Sequence, residues 1–367
     1  MGLLMLEIFE IKSRNKNYTV EINNKKKFNL NSIVKNNLSI IDKKILYFYP
    51  ELRKTKKITI HALEKNKSLE TVQKILKDLK THKTLRDNNI YSIGGGIVQD
   101  VSTLSASLYM RGIKWVYMPT TLLSMIDSCI GGKSSININN YKNIVGNFYP
   151  PDTIIIYVNF YKSLKDYQLI EGLCEGIKIC YAHSFKSFKK FIDLIDLNKP
   201  LQKLPFFQLI SLSLKSKKFF IENDEFDNGK RLLLNFGHTF GHSLEASSNY
   251  KISHGYSVGL GILAAIDLSI RLKFVSKTNT KIQLLNKFVS KILDKDKKVF
   301  KHIKNLNINK TFEKFKLDKK HKRNTFTLIL FDNYGNLKKT TIVNNFKNCE
   351  LIKSSLKSLK NKNLYEV

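Results

Sequence analysis

Five short runs rich in β-branched and aromatic residues recur through the first 160 positions, and segments of helical period separate them. The runs are 44–48, 57–60, 89–93, 115–118 and 153–158. Between them, Leu69, Val72, Ile75, Leu76 and Leu79 fall on one face of a helix. Parallel strands need a crossover connection, so strand, helix, strand at this pitch predicts a mainly parallel α/β sheet. From about residue 164 the pattern turns mostly helical, as in Ile282, Leu285, Phe288, Val289 and Ile292. One late β-like run, 325–331, interrupts it, and the last thirty or so residues are Lys- and Asn-rich, a helix or a loose tail. The 367 residues exceed one average domain. We expect a Rossmann-like α/β domain over 1–160 and a mostly α-helical domain over 161–367.

The formal net charge of +33 suggests a polyanion binder at first sight. The detail argues otherwise. Only seven of the 63 basic residues are arginine, and the lysines spread along the whole chain. Base-reading modules favour Arg for bidentate contacts to guanine. Lys, Asn and Ile share AT-rich codons, so a genomic bias accounts for the charge. No nucleic-acid partner is expected, although a positive field steers an anionic substrate. No apolar stretch approaches the roughly 18 residues of a spanning helix, so no membrane is expected either. The most apolar run, 258–270, carries Asp267 and reads as a buried core helix. The N-terminus lacks the pattern of a signal peptide. Cys129, Cys174, Cys180 and Cys349 form no C-x-x-C pair and read as reduced thiols of a cytoplasmic protein.

Three segments carry chemistry. Gly94-Gly95-Gly96-Ile97-Val98-Gln99-Asp100 follows a predicted strand and opens a helical stretch. Glycines let a phosphate approach the backbone, and a helix N-terminus favours negative charge. Taken alone, the segment also fits a plain strand-to-helix turn. Asp127-Ser128-Cys129-Ile130-Gly131-Gly132-Lys133, with Lys142-Asn143 beyond it, offers lysines and glycines suited to an anion cradle. Asn235-Phe236-Gly237-His238-Thr239-Phe240-Gly241-His242 places two His on one helix face, and His254 follows. Upstream, Glu171 and Glu175 bracket an apolar turn, with Lys178 one turn further. Three His and a Glu, in a chain with eight His, suggest a Zn²⁺-type site. Core or capping histidines are the alternative.

Together with Arg111-Gly112 and Pro119-Thr120-Thr121-Leu122-Leu123, these segments resemble the 3-dehydroquinate synthases in order and spacing. The resemblance runs from about residue 62 to about 330. It implies a homodimeric, NAD⁺- and metal-dependent sugar-phosphate cyclase, with Zn²⁺ or Co²⁺ held by Glu175, His238 and His254. His242 would then lie in the active site without being a ligand. The resemblance implies NAD⁺ contacts from Glu64, Lys67, Gly96, Ile97, Val98, Gln99, Asp100, Thr120, Thr121, Lys133, Lys142, Phe160, Tyr161, Lys162 and Ser163. It implies that Lys133, Asn143, Asn235, Lys320 and Arg111 hold a phosphate, Arg111 in the neighbouring subunit's site. Lys217 and Arg231 would hold a carboxylate. Asp127, Lys178 and His242 would orient hydroxyls or move protons. The implied substrate is 3-deoxy-D-arabino-heptulosonate 7-phosphate. The implied course is transient oxidation at C5, β-elimination of phosphate, re-reduction and intramolecular aldol closure.

The chain departs from that pattern in three places. Gln99 stands where a Gly is usual, and Leu63 replaces the Gly of a Gly-Glu-x-x-Lys-Ser motif. Phe48-Tyr49-Pro50-Glu51 stands where a Thr-Asp segment is expected after the first strand. Two neighbouring readings are a metal-dependent polyol dehydrogenase, which needs no phosphate cradle, and a cyclase whose substrate lacks the carboxylate. Arg231 and Lys217 discriminate against the second.

Overall fold

The structure, a computed structural model, describes residues 5–25, 29–139 and 141–361. These fall into two compact units. The first holds the described residues up to Lys165 together with Phe206–Phe226, and the second holds Asp166–Pro205 and the described residues from Asp227 onward. This differs in two respects from a single cut at 160/161, the first being that the boundary falls after Lys165. The second is that the helix Phe206–Asn223 belongs with the first unit, because it packs on the strands Leu6–Ile11 and Tyr18–Asn23 and on the turn Ser124–Ser128. Its own pattern says "helix" but not which core it joins.

The first unit is built on a sheet. Its strands are β1 (Leu6–Ile11), β2 (Tyr18–Asn23), β3 (Leu38–Asp42), β4 (Lys57–Ile60), β5 (Ile90–Gly94) and β6 (Trp115–Pro119). A small ribbon of β7 (Ile136–Ile138) and β8 (Tyr141–Val145) intervenes before β9 (Thr153–Tyr157). The seven-stranded sheet runs β1-β2-β9-β6-β5-β3-β4, parallel throughout except for the antiparallel edge pair β1/β2. All five residues of β6 are buried, as expected of a strand covered on both faces. The helix Leu69–Thr81 starts at Ser68, whose side chain accepts from Thr71 N, and buries Val72, Ile75 and Leu79. Leu69 stays exposed at its first position.

One predicted strand is wrong. Residues 44–48 do not form a strand; Ile45–Phe48 is a helical turn, closed by Tyr49 N bonding Ile45 O. The true strand is β3, six residues earlier. A four-residue apolar run does not distinguish the two states by period. The sequence Leu38-Ser39-Ile40-Ile41 is the one that pairs, with β4 on one side and β5 on the other.

The order of the parallel strands matters for function. The chain goes from β3 outward to β4, crosses back to β5, and continues away through β6 and β9. Connections therefore leave in opposite directions at β3/β5. Ligands of open α/β sheets bind at the carboxyl ends of the strands beside such a switch point. Asp42 ends β3 and Gly94 ends β5 there.

The second unit is mostly helical. Its principal helices are Asp166–His183, His238–Ser247, His254–Arg271, Thr280–Leu293 and Phe346–Ser358. The ribbon β10 (Thr325–Phe331) and β11 (Leu337–Val343) is antiparallel. Helix 254–271 is the core helix read from the apolar run. Leu260, Ile262, Leu263 and Ile266 on it are buried, each contributing about 1.5–3 kcal/mol. The Lys-rich C-terminal segment forms the last helix, and residues 362–367 lie outside the described residues. Among the described residues, no helix is long and apolar enough to cross a membrane.

Candidate functional site

Each unit carries one group of the candidate residues. In the second unit, Glu175 lies in the middle of helix 166–183. His238 and His254 are the first residues of helices 238–247 and 254–271. Close packing of those two helices aligns their ends. Gly237 adopts a φ of +76°, and a Cβ on Gly261 would collide with the Gly237 carbonyl oxygen. Only glycine meets both demands at once.

Glu175 Oε1 lies 3.2 Å from His254 Nε2 and 3.9 Å from His238 Nε2. One ligand atom from each residue lies within 4.8 Å of the others. Ligands about 2.0–2.2 Å from a tetrahedral ion sit roughly 3.3 Å apart, so the donor set fits a Zn²⁺- or Co²⁺-sized cation. The far sides of the rings agree. His238 Nδ1 is 3.2 Å from the Phe236 carbonyl, and His254 Nδ1 is 3.2 Å from Glu245 Oε2. Donation from Nδ1 turns each Nε2 lone pair toward the same carboxylate, an arrangement that calls for a shared cation. Burial opposes charge on His254, but the Glu175 and Glu245 carboxylates on either side outweigh it and raise its pKa to about 10. The same pull favours a metal ion. His238 is held neutral, first by burial and then by the Lys178 ammonium.

Glu245 escaped the sequence reading. The signal was present: it lies three residues after His242 on the helix that begins with His238. A carboxylate behind a ligating imidazole fixes its tautomer, and losing one costs about 10- to 100-fold in metal affinity.

Lys178 is buried beside Glu175, with Nζ 2.5 Å from Glu175 Oε2. His242 is not among the converging donor residues. Its ring centre is 5.4 Å from that of His238, and its Nδ1 is 3.7 Å from Asp318 Oδ2. Asp318 also binds Lys320 Nζ at 2.7 Å. Asn235 ends the 3₁₀ turn Lys230–Asn235, which also carries Arg231, a guanidinium only 3% exposed.

Burial raises the pKa of Asp318, but the neighbouring His242 ring and the Lys320 ammonium outweigh it and hold the carboxyl well below its usual range. A depressed carboxyl pKa stabilises the fold above the unfolded value near 4 and loses that contribution as pH falls through the folded value. Asp318→Asn should therefore lower stability by about 1.5–3 kcal/mol at pH 7 and flatten its fall below about pH 4. Urea denaturation at pH 7, 4 and 3 measures both. A variant whose stability declines as steeply as wild type between pH 4 and 3 contradicts the assignment.

The first unit holds the second group. Gly95 caps the helix Gly96–Leu108, and the N–H groups of Gly96, Ile97 and Val98 have no acceptor within the helix. Among the described residues, and apart from its chain neighbours and own helix backbone, a Cβ on Gly96 would meet only Ser128 Oγ, at 3.9 Å, so the face of this turn is open. Thr120 N donates to Gly94 O at 3.0 Å, which sets the Thr120-Thr121 turn beside the glycines. Such an open helix start suits a pyrophosphate. Asp100 is bound by Lys67 at 2.7 Å and accepts from Ser135 N at 3.0 Å. Lys67 also donates to Asn143 Oδ1 at 2.8 Å, and Lys142 lies 3.3 Å from Glu64. The Glu64–Lys67 segment is thus tied to the β7–β8 ribbon.

Asp127 lies on the π-helical turn Ser124–Ser128. Lys217, buried on helix 206–223, reaches Asp127 Oδ1 at 2.5 Å and its carbonyl at 2.6 Å. Lys217 and Asp127 therefore form a pair. Lys133 and Arg111 are exposed. Arg111 sits in a run of positive φ, with Met110 at 48°, Arg111 at 62° and Gly112 at 114°. Two non-glycine residues in that region are strained, a feature that gathers at functional positions. In the 3₁₀ turn Val158–Ser163, Phe160 is fully buried between Tyr49 and Tyr157. Tyr161, Lys162 and Ser163 are its more accessible members.

Asp42 was also missed. It ends β3 next to Ile41, which pairs with Ile93, so it stands at the switch point beside the glycine turn. An acidic residue at that place commonly receives a ribose hydroxyl. The misplaced strand hid it.

A model described as 3-dehydroquinate synthase N-terminal matches residues 57–171, and one described as 3-dehydroquinate synthase C-terminal matches 172–321. A 3-dehydroquinate synthase of Pelagibacter ubique is 36% identical over 356 residues, covering 91% of this chain and 94% of the relative. That of Dictyoglomus turgidum is 40% identical over 249 residues, covering 67% of this chain and 66% of the relative. A crystal structure of 2-deoxy-scyllo-inosose synthase, complexed with carbaglucose-6-phosphate, NAD⁺ and Co²⁺, aligns with a TM-score of 0.80. It is 20% identical and covers 96% of this chain and 99% of that one, a likeness of fold. The alternating strands and helices, the glycine turn, the converging carboxylate and imidazoles, and these matches over most of the chain lead to one statement: the chain belongs to the 3-dehydroquinate synthase family.

Proposed function

We propose that the protein converts 3-deoxy-D-arabino-heptulosonate 7-phosphate to 3-dehydroquinate and phosphate. It is then a carbon–oxygen lyase of the shikimate pathway, which leads to chorismate and the aromatic amino acids. The observation that carries this reading is the convergence of Glu175, His238 and His254 beside the buried ammonium of Lys178. When bound, a divalent metal supplies Lewis acidity toward a substrate hydroxyl, and NAD⁺ supplies a reversible acceptor for hydride.

The chain's own residues then have distinct tasks. Arg231 and Lys217 bind the substrate carboxylate, and a buried planar guanidinium suits that role. Lys217 does so paired with Asp127. Lys133, Asn143, Asn235, Lys320 and Arg111 bind the phosphate. Asp318 Oδ2 lies 3.7 Å from His242 Nδ1, and we assign the other ring nitrogen, Nε2, to take or return a proton. Burial lowers the His242 pKa, with Asp318 opposing, which keeps the ring neutral enough to accept. Lys178 orients a hydroxyl next to the Glu175 carboxylate. The Gly96–Asp100 turn, Thr120, Thr121, Glu64, Lys67 and Lys142 serve NAD⁺, and Asp42 joins them on its ribose side.

We place the protein in the cytoplasm as a homodimer in which Arg111 serves the partner's site. The free cysteines and the exposed, strained presentation of Arg111 support this. Zn²⁺ and Co²⁺ both suit the donor set.

The purified protein should release phosphate from the heptulosonate phosphate. A chelator should abolish this, and added Zn²⁺ or Co²⁺ should restore it. Phosphate release unaffected by prolonged chelation contradicts the proposal.

A further inference from the structure

Gln99 is the fourth residue of helix 96–108 and is 4% exposed. Its Nε2 donates to the Ser128 carbonyl at 2.7 Å, and the Ser128 hydroxyl donates to its Oε1 at 2.7 Å. Chemistry fixes this orientation. A backbone carbonyl only accepts, so the amide NH₂ must face it, and the amide oxygen then takes the hydroxyl proton. The one proton of Ser128 is thereby committed within the protein.

Among the described residues, and apart from its chain neighbours and own helix backbone, Ser128 Oγ is also the only neighbour that a Cβ on Gly96 would meet within 4 Å. It borders the open face of the glycine turn, and with its proton turned away it presents lone pairs. The rest of its turn is held as well. Lys217 binds the Asp127 carbonyl and Gln99 binds the Ser128 carbonyl, the last two of the π-helical turn Ser124–Ser128.

We propose that Gln99 is a positioning residue that makes Ser128 a hydrogen-bond acceptor toward the dinucleotide. The proposal rests on reading the Gly94–Gly96 turn as the NAD⁺ site. An acceptor beside Gly96 repels phosphate oxygens and takes a ribose hydroxyl or carboxamide N–H. The pyrophosphate is left to the N–H groups of Gly96, Ile97 and Val98. Ser128 and the helix start together set the register in which NAD⁺ lies. Gln99 is too buried to do this by touching the cofactor itself.

The test compares Gln99→Met, Ser128→Ala and the double variant. Methionine keeps the volume of the glutamine side chain but makes neither hydrogen bond, and Ser128→Ala removes one link from the more exposed side. NAD⁺ affinity is measured by direct titration and by KM. Gln99→Met should weaken NAD⁺ about tenfold, the loss of one to two hydrogen bonds. Ser128→Ala should weaken it by a similar factor, and the double variant should be no worse than Gln99→Met. The loss should appear in the KM for NAD⁺ rather than in kcat. A Gln99→Met variant that binds NAD⁺ within twofold of wild type, or losses that simply multiply in the double variant, overturns the proposal alone. A wild-type protein that binds no NAD⁺ overturns the reading of the turn and the proposal with it.

Discussion

His238→Ala is expected to lose its metal and to lower turnover by about 1,000-fold or more. Removing one of three protein ligands costs more than the 10- to 100-fold in affinity expected for an outer partner. Metal assistance contributes several kcal/mol to the transition state, and each 1.4 kcal/mol is about tenfold in rate. His242→Ala provides the contrast. Its ring centre lies 5.4 Å from that of His238, and its polar partner is Asp318 rather than Glu175. That variant should keep its metal and lose about 100- to 10,000-fold in rate, the range for a positioned acid or base. Metal content and kcat of both purified variants decide the matter. A metal-free His242→Ala beside a metal-replete His238→Ala contradicts the ligand assignment.

Lys178→Met is expected to destabilise the metal-free protein by about 1–3 kcal/mol, the cost of leaving one oxygen of a buried carboxylate unsatisfied while His254 still holds the other. Both side chains are almost fully buried, and Nζ lies 2.5 Å from Glu175 Oε2. The consequence for metal is the opposite. An ammonium and a divalent ion compete to neutralise one carboxylate, and they repel each other. The stability loss should therefore shrink when Zn²⁺ saturates the protein, and by linkage the variant should bind Zn²⁺ at least as tightly as wild type. Turnover should still fall under the role proposed for Lys178 in orienting substrate. Urea denaturation with and without Zn²⁺ measures the first effect, and competitive Zn²⁺ titration measures the second. Equal destabilisation in both conditions, with weaker Zn²⁺ binding, contradicts this picture.

Much of this site was legible because its chemistry is local in sequence. The glycines of 94–96 sit where a buried strand must turn into a helix, and both β5 and helix 96–108 formed as read. His238 and His242 share a helix face, as their spacing requires. Spacing did not separate ligand from neighbour. His254 comes from another helix, and the close packing around Gly237 and Gly261 decides that it, and not His242, meets Glu175 and His238.

The misses have a common origin. Residues 44–48 were read as a strand because Ile-Leu-Tyr-Phe is apolar and short, and no period distinguishes strand from helix over so few positions. That error displaced the strand end by six residues and concealed Asp42. The return of helix 206–223 to the first unit is tertiary, with no marker in its own residues. The pairing of Lys217 with Asp127 follows from that return, across 90 residues of sequence. Glu245 and Ser128 matter through what they hold, and sequence reading finds such partners last.

The most direct test of the central claim is a balance of products in one reaction. Purified, Zn²⁺-loaded protein is given the heptulosonate phosphate and a small amount of NAD⁺, and phosphate, 3-dehydroquinate and NADH are followed together. The account predicts phosphate and 3-dehydroquinate in equal amounts, many of each per NAD⁺, with no NADH accumulating. NADH rising in step with substrate consumption, without phosphate release, would contradict it and favour a dehydrogenase.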